Sequence, residues 1–223
     1  SPALLFPPAK SVIVVGAGFK RESPERRVAL YAQGPDYHGA IKARLFELCG
    51  MLEAEGHRQK ACVDTAPLLE KYFAEQAGIG WIGKNTLVVN RQNGPWNFLG
   101  SILTSAGLEP DAPQKPRCGK CAKCLDACPT GALSAYALDA RRCISNLTIE
   151  RKTPLSECEK SMCGEKIFGC DECLRACPLG KSAPLPRIPE FRETIRLPEG
   201  ATPEYAADVI SSKRARNLKS RRK

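Results

Sequence analysis

Residues 118–129 read CGKCAKCLDACP, and this stretch decides how the second half of the chain folds. Its cysteines follow the spacing C-x2-C-x2-C-x3-C and are closed by a proline: Cys118, Cys121, Cys124, Cys128 and Pro129. Residues 170–178 read CDECLRACP and repeat the pattern with one cysteine fewer: Cys170, Cys173, Cys177 and Pro178. Because thiolates are the preferred protein ligands of soft metal centres, two such runs indicate a metal-binding module.

The spacing of the first run is that of bacterial ferredoxins, in which the fourth cysteine ligates the other cluster when two are present. Cys143 is the natural replacement for the cysteine that the second run lacks, and Cys163 is its alternative. Crossing the two runs predicts two [4Fe–4S] clusters. The first is assigned to Cys118, Cys121, Cys124 and Cys177. The second is assigned to Cys128, Cys143, Cys170 and Cys173.

Zinc is the main alternative, since paired C-x2-C elements also make tetrahedral sites of four thiolates. A zinc ribbon needs neither a third cysteine at the same spacing nor a Cys-Pro at the end of both runs. A cubane contacted on three corners by one loop explains both features, so we favour iron–sulfur clusters. Cys49 lies among the apolar residues of a predicted helix and is expected to be a packing residue, while the roles of Cys62 and Cys158 stay open.

Composition limits the class of protein. A chain of 223 residues with 43% hydrophobic content predicts a globular protein, which we expect to be a monomer. We find no run of roughly 18 to 20 apolar residues, and the opening SPALLFPPAK lacks the pattern of a secretory signal. We therefore predict a cytoplasmic protein with no membrane association, in which twelve cysteines are metal ligands or reactive thiols rather than disulfides.

The net charge of +10 is concentrated at the C-terminus. A basic tail with no acidic residue is formed by Lys213, Arg214, Arg216, Lys219, Arg221, Arg222 and Lys223. Such a block is either a solvated tail or an electrostatic arm for a polyanion, for which RNA is the leading candidate.

The N-terminal half predicts an α/β core. Ser11–Val15 reads SVIVV and predicts a strand at its edge. A helix over about 37–56 follows, with one apolar face made of Ile41, Leu45, Leu48 and Leu52. Thr65 is expected to cap a second helix that has Pro67 in its first turn and ends at Gly78, so Asp64 would lie at a strand-to-helix junction.

Residues 78–84, GIGWIGK, predict either a loop that needs positive φ or a backbone that approaches a flat ligand closely. Two strands over 86–89 and 96–104 are expected to be joined by the turn at 93–95. A linker with prolines at 110, 113 and 116 then leads into the cysteine region. We predict an α+β protein with a core over 1–114, a two-cluster ferredoxin-like module over 115–182, and an extended segment with the basic tail over 183–223.

Several long motifs in order resemble the epoxyqueuosine reductases over about residues 8–182. They are Asp36-Tyr37-His38, the stretch VDTAPLLEK at 63–71, GIGWIGK at 78–84, FLG at 98–100, the ferredoxin run, and DARRCISNLTIE at 139–150. The resemblance implies a cobalamin-dependent iron–sulfur enzyme that reduces epoxyqueuosine to queuosine in the anticodon loop of tRNA. It implies a cobalamin-binding N-terminal core and an electron donor such as a flavodoxin or ferredoxin.

The resemblance also implies site residues. Asp64 matches the family's proposed proton donor, against the alternative of a helix-capping aspartate. The corrin pocket would be formed by Tyr37, His38, Asp64, Trp81, Lys84, Ser145 and Thr148. Lys84 and the arginines at 141 and 142 are also candidate phosphate partners, against simple surface solvation.

Some positions depart from the family pattern. Ala29-Leu30-Tyr31-Ala32 stands where Ser-Arg-Tyr-Ala is usual, and Asn85 and Asn146 stand where histidine and tyrosine are common. Relative to long members, we expect the segment before the first strand to be largely absent and the C-terminal helical-repeat domain to be replaced by about 40 residues that end in the basic tail, as in a short or truncated form. These differences bear on tRNA docking and substrate identity.

Two other functions compete with this one. The first is a related corrinoid iron–sulfur reductase that acts on a small molecule. The second is a ferredoxin-type electron-transfer protein without cobalamin. Asp64 and the Gly-Trp-Ile-Gly-Lys region argue against the second, because a ferredoxin needs neither.

Overall fold

The computed structural model describes residues 1–194, 197–203 and 205–210. The strands are β1 (Ser11–Gly18), β2 (Gln59–Cys62), β3 (Trp81–Ile82), β4 (Val88–Val89), β5 (Asn97–Thr104), β6 (Leu133–Ser134) and β7 (Ala137–Leu138). The α-helices are α1 (Pro2–Leu5), α2 (Tyr37–Ala54), α3 (Glu70–Gln76), α4 (Lys123–Asp126), α5 (Glu157–Cys163), α6 (Glu172–Arg175) and α7 (Pro178–Lys181). Short 3-10 turns cover Leu30–Gln33, Ala140–Arg142 and Pro189–Arg192, and Asn146–Glu150 forms a π-helical turn. This mixture confirms the α+β prediction.

The central element is β5, which lies between β1 and β2 in a three-stranded antiparallel sheet. The predicted strand at Ser11 is confirmed as the edge strand β1 and continues to Gly18. Helix α2 packs closely on the sheet, because a Cβ at Gly100 of β5 would lie 2.6 Å from Cγ2 of Ile41. Only glycine fits at this contact, which brings the first turns of α2 against the middle of β5.

The predicted pairing of residues 86–89 with 96–104 is wrong. β4 pairs with β3, and β5 pairs with β1 and β2 instead. The segment at 90–94 closes on itself through a bridge between Asn90 and Gly94. The physical reason is burial: most of β5 is buried, so it needs a neighbour on each side, and a two-stranded hairpin would leave it exposed.

The first long helix is confirmed as α2, with one error in its buried face. Ile41 and Leu45 are buried as predicted, but Leu48 is exposed and Cys49 is buried in its place. The buried residues repeat every four positions, which keeps them in line along a helix of 3.6 residues per turn. The packing role predicted for Cys49 is confirmed.

The second predicted helix begins later than expected. α3 starts at Glu70, so Thr65 is not its cap and Pro67 is not in its first turn. Residues 64–69 form a loop instead, tightened by bonds from Thr65 N–H to Val63 O and from Leu68 N–H to Ala66 O. This loop opens with Asp64 at a φ of 54°, a left-handed conformation that interrupts any helix.

The hydrophobic core continues across the predicted boundary at residue 115. Its main cluster includes Phe98 of the N-terminal sheet together with Leu174 of α6 and Phe191. The Phe98 and Phe191 rings lie 4.8 Å apart in an edge-to-face arrangement. The cysteine region therefore packs directly on the sheet.

The segment predicted to be extended after residue 183 folds back in its described part. Phe191 is buried, and residues 205–210 are helical, with Ala206 and Ile210 buried against Val28 and Phe168. The basic tail lies outside the described residues. Among the described helices, none has the length and apolar character needed to cross a bilayer.

Candidate functional site

The first cysteine run folds into a loop that surrounds a cavity of about 140 Å³. Four thiols of the run and its crossed partner line this cavity: Cys118, Cys121, Cys124 and Cys177. The Lys84 ammonium donates to the carbonyls of Gly119 and Cys121 at 2.8 and 2.9 Å, and so ties the loop to the N-terminal core. The structure thus brings together the four cysteines that crossing the runs assigns to one cluster.

The electrostatics of this cavity suit a metal cluster. Burial raises the pKa of the Cys124 thiol, and the neighbouring thiols of Cys118, Cys177 and Cys121 raise it further. Four thiolates this close repel one another, so their ionised form needs a compensating cation. Within the described ranges, no group of three or more His, Cys, Asp or Glu side chains is placed to hold a metal ion.

The second set of cysteines lies deeper. Burial strongly raises the pKa of Cys173, and its charged neighbours include Cys170, Cys143 and Cys124. Cys163, the alternative ligand, is instead buried in an apolar cluster with Ile144 and Leu147. Cys143 is thus an electrostatic neighbour of Cys173, while Cys170 also packs against the apolar cluster that contains Cys163. The choice of Cys143 as the fourth ligand stays a prediction.

Cys128 is the fourth cysteine predicted for the second cluster. Its Sγ accepts a hydrogen bond from Ala132 N–H at 3.3 Å and lies 3.7 Å from the Thr130 hydroxyl. Burial opposes ionisation of this thiol, but these hydrogen bonds outweigh burial and lower its pKa. Hydrogen-bond donors of this kind orient a thiolate that is bound to a metal.

Ser145 and Thr148, predicted to contact a corrin, brace the second cysteine loop in this structure. Ser145 Oγ accepts from the Cys170 N–H at 3.0 Å, and Thr148 Oγ1 accepts from the Gly169 N–H at 2.9 Å. The Thr148 hydroxyl donates to Ile144 O at 2.7 Å. Their hydroxyls thus fix the backbone that presents Cys170.

Trp81 is completely buried, so its ring presents no exposed face to a flat ligand. The neighbouring glycines serve the packing of β3 on β4: a Cβ at Gly80 would lie 2.2 Å from Val89 O, and one at Gly83 would lie 2.7 Å from Val89 Cγ2. The close approach of this stretch to a flat ligand stays a prediction. Its glycines allow two backbone segments to touch.

Asp64 forms a second site on the N-terminal core. Its Oδ2 accepts a hydrogen bond from the Tyr37 hydroxyl at 2.9 Å and lies 3.3 Å from Nε2 of His38. The Asp64 side chain is 62% exposed, so it remains accessible to a molecule outside the chain. It does not cap α3. We call Asp64, Tyr37 and His38 the acid site.

Asp36 orients the acid site through its contacts with His38. Its carboxylate caps α2 by accepting from His38 N–H at 3.2 Å, and its Oδ1 also lies 2.7 Å from Nδ1 of the His38 ring. This second contact is the largest cause of a raised His38 pKa. The Tyr37 ring stacks on Phe98 at 4.3 Å and 3°. Both aromatic partners of Asp64 are therefore held by contacts of their own.

Glu70 was not singled out by sequence reasoning. Its Oε2 accepts a hydrogen bond from the backbone N–H of Asp64 at 3.1 Å. This bond holds the first residue of the loop over 64–69, which we call the acid loop, in its left-handed conformation. Burial raises the pKa of this carboxyl to about 7, and the charge of Asp64 raises it as well. Glu70 lies in the same motif as Asp64, VDTAPLLEK, six residues further along the chain. Its place in that motif is the signal that could have found it.

The residues predicted for the corrin pocket do not surround one described cavity. Tyr37, His38 and Asp64 share the acid site, and Lys84 lines the first cysteine cavity. The two sites are linked through the core, since Cys173 and Tyr37 both pack against its main cluster. At the acid site, the Asp64 side chain is 62% exposed and so is accessible from outside the chain.

A double cysteine run packed on an α+β core defines an iron–sulfur protein. Residues 117–180 match the family described as a 4Fe-4S double cluster binding domain. Residues 1–65 match the family described as epoxyqueuosine reductase QueG, DUF1730.

An epoxyqueuosine reductase of Xanthomonas campestris is 43% identical over 185 residues, which are 81% of this chain and 52% of that protein. A crystal structure of an epoxyqueuosine reductase with an epoxyqueuosine-modified tRNA-Tyr stem loop superposes with a TM-score of 0.80 at 34% identity, and covers 92% of this chain and 56% of that one. The Bacillus subtilis structure, described with its catalytic aspartate loop swung out of the active site, gives 0.77 at 33%, with 86% and 54% covered.

The chain belongs to the epoxyqueuosine reductase family. It spans about half the length of the relatives it matches. The family resemblance predicted from the motifs is thereby confirmed, as is the presence of an iron–sulfur domain.

Proposed function

We propose that this chain reduces epoxyqueuosine to queuosine in tRNA, with Asp64 as the proton donor. The observation that carries the proposal is the acid site: an exposed carboxyl held by Tyr37 and His38, in a core packed against a double-cluster module. A protein that only transfers electrons has no use for such a carboxyl.

The reaction needs electrons and protons in fixed numbers. Conversion of an epoxide to an alkene consumes two electrons and two protons and releases the oxygen as water. Iron–sulfur clusters each pass one electron at a time at low potential, so two clusters suit a two-electron reduction. Cluster ligation by Cys118, Cys121, Cys124 and Cys177, and by Cys128, Cys143, Cys170 and Cys173, is part of the proposal.

Asp64 is suited to deliver a proton to the leaving oxygen. The described hydrogen bonds of its carboxyl group are made by Oδ2, so Oδ1 is the oxygen we assign to the proton that is transferred. Tyr37 and His38 fix the carboxyl group, and Tyr37 is itself fixed by its stack on Phe98. A general acid of this kind contributes about 10²- to 10⁴-fold to a rate.

The acid loop has the features of a movable element. Most of it is exposed, it begins at a left-handed residue, and the backbone N–H of that residue is held by the Glu70 carboxyl. The catalytic aspartate loop described for the Bacillus subtilis relative supports the assignment of Asp64 as its counterpart here.

Cobalamin is the cofactor that we propose at the acid site, on the strength of the motifs shared with the family. When bound, it would supply a cobalt centre that delivers the electrons to the epoxide. Tyr37, His38 and Asp64 are the residues that we assign to its neighbourhood. A titration of cob(II)alamin into cluster-loaded protein tests this assignment, because an EPR spectrum of the corrinoid unchanged by the protein would exclude it.

The test of the activity uses a tRNA stem loop that contains epoxyqueuosine. Reduced protein with clusters and corrinoid is incubated with it under anaerobic conditions, and the nucleosides are analysed by mass spectrometry. We expect queuosine to form with the wild type and to fall to near background with Asp64→Asn. No queuosine from fully loaded wild-type protein would contradict the proposal.

A further inference from the structure

We propose that an exposed basic face beside the first cysteine cavity is the docking surface for a small acidic electron-carrier protein. The basic face consists of Arg91, Lys115, Arg117, Lys120 and Lys123, all of which are exposed. The proposal rests on the cluster assignment above and adds the place where electrons enter.

Two adjacent cavities define the face. The first is lined by the four cysteines of one cluster together with Lys84 and Arg117. The second, of about 560 Å³, is lined by Arg91, Lys115 and Arg117. Arg117 belongs to both, and neither lining contains an acidic residue. Lys120 and Lys123 lie between the ligating cysteines of the same loop. Asp126, at the end of α4, is the acid that interrupts this stretch.

The second cysteine set offers a different surface. The cavity beside it is lined by Arg141 and Arg142 but also by Glu159. Arg141 is already paired with Asp139 at 3.0 Å. Cys173, the most buried cysteine of the second set, packs against the core that carries Tyr37. The four thiols of the first cavity therefore lie beside the basic face, whereas Cys173 of the second set packs against the core that also carries Tyr37.

This arrangement gives the electrons a direction. A reduced carrier docked on the basic face would pass one electron to the first cluster, so that the carrier is oxidised by one electron and the cluster is reduced by one. The electron would continue to the second cluster, and two such encounters supply one turnover. Complementary charge accelerates such encounters and makes them dependent on salt.

RNA is the other polyanion that a basic face attracts. The position of the face favours the protein carrier, because neither cavity is lined by Asp64, Tyr37 or His38, where the nucleoside must react. The phosphate backbone has no need to cover the entry to a cluster, whereas an electron donor must approach it.

The experiment measures how fast a reduced flavodoxin bleaches the clusters in a stopped-flow instrument, at low and at high salt, with no nucleoside present. We expect Arg91→Glu with Lys115→Glu to slow the reaction about tenfold or more at low salt and to remove most of its salt dependence. Reduction by dithionite should not change. A titration calorimetry measurement with oxidised flavodoxin should show the same loss of affinity.

Lys10→Glu with Arg58→Glu is the matched control, because both residues are exposed and lie outside the two cavities. Lys120→Glu with Lys123→Glu is a second variant, used only if its iron content is normal. Equal rates for wild type and the Arg91 and Lys115 variant would overturn the proposal. A loss of affinity for the tRNA stem loop with unchanged flavodoxin kinetics would also overturn it and would assign the face to RNA. Failure of deoxygenation alone would leave these rates unaffected.

Discussion

The cysteine module and the acid site solve the same problem, the positioning of a few reactive groups, by different means. In the module, short turns position the ligands: Cys121 N–H bonds to Cys118 O, and Cys128 N–H bonds to Leu125 O. In the acid site, the Tyr37 hydroxyl reaches Asp64 across 27 residues of sequence.

This difference shows which parts of the structure each site depends on. Local turns hold the cysteines in a short loop, so the module depends mainly on its own spacing. The acid site depends on the helix, the sheet and the loop at once, and Asp64 keeps a left-handed backbone that costs free energy. We expect loss of a cysteine to remove a cofactor, and changes in the acid site to alter rate or loop stability.

The largest effect is expected when one of the cluster-ligating cysteines is replaced. Cys124→Ser should remove one cluster, since a hydroxyl is a poor substitute for thiolate, and should lower bound iron from about eight atoms per chain toward about four. Iron analysis and EPR of the reduced protein measure this. Cys158→Ser is the control, because that thiol is exposed and belongs to neither set. Full iron content in Cys124→Ser would refute the ligand assignment.

The second largest effect is expected when Asp64, the proposed proton donor, is replaced. Asp64→Asn should lower turnover about 10²-fold or more while leaving iron content and the melting temperature close to those of the wild type. Asparagine is the right substitution because it also tolerates positive φ, so the backbone of the loop is conserved. A rate within twofold of the wild type would contradict the proposed role of Asp64 as proton donor and would indicate a structural role instead.

A smaller effect is expected for the tyrosine that fixes the acid. Tyr37→Phe removes the hydroxyl that donates to Asp64 but keeps the ring stacked on Phe98, and should lower turnover about five- to tenfold, as for one lost hydrogen bond. Single-turnover rates are the measurement. Tyr72→Phe, on the exposed part of α3, should leave the rate unchanged.

The smallest effect concerns Glu70 and pH. Its carboxyl has a pKa of about 7 in the folded chain, against an ordinary value of 4.5, because burial disfavours the charge. The folded state therefore binds the proton more tightly, and this contribution to stability is present at low pH and is lost as pH rises from about 4.5 through 7. After allowance for solvent screening, we expect a loss on the order of 1 kcal/mol.

Glu70→Gln should remove that pH dependence, and denaturant unfolding at pH 5 and pH 8 would show it as a smaller difference than in the wild type. The same variant keeps an acceptor for the Asp64 N–H, so the acid loop should stay in position. An equal pH dependence in both proteins would mean that another group titrates.

Much of the local structure was readable from the sequence. The strand at Ser11 and the helix from Tyr37 follow from short-range pattern. Errors arose where tertiary contacts compete with local preference. Leu48 is exposed although it is apolar, and α3 begins at Glu70 because Asp64 leaves the helical region. The pairing of β5 could not be inferred, since adjacent strands form a hairpin only when no better partner is near.

The sequence by itself determined the chemistry that the chain can hold: two runs of thiols at cluster spacing, and an aspartate in a motif of the family. Spacing along a short loop fixes geometry because few backbone bonds separate the ligands. Only the tertiary structure decided which distant groups meet. It brought Cys177 to the first run, Asp36 and Tyr37 to the acid site, and Glu70 beneath the Asp64 backbone. Those contacts depend on how the helix, sheet and loops pack, which no short segment of the chain specifies alone.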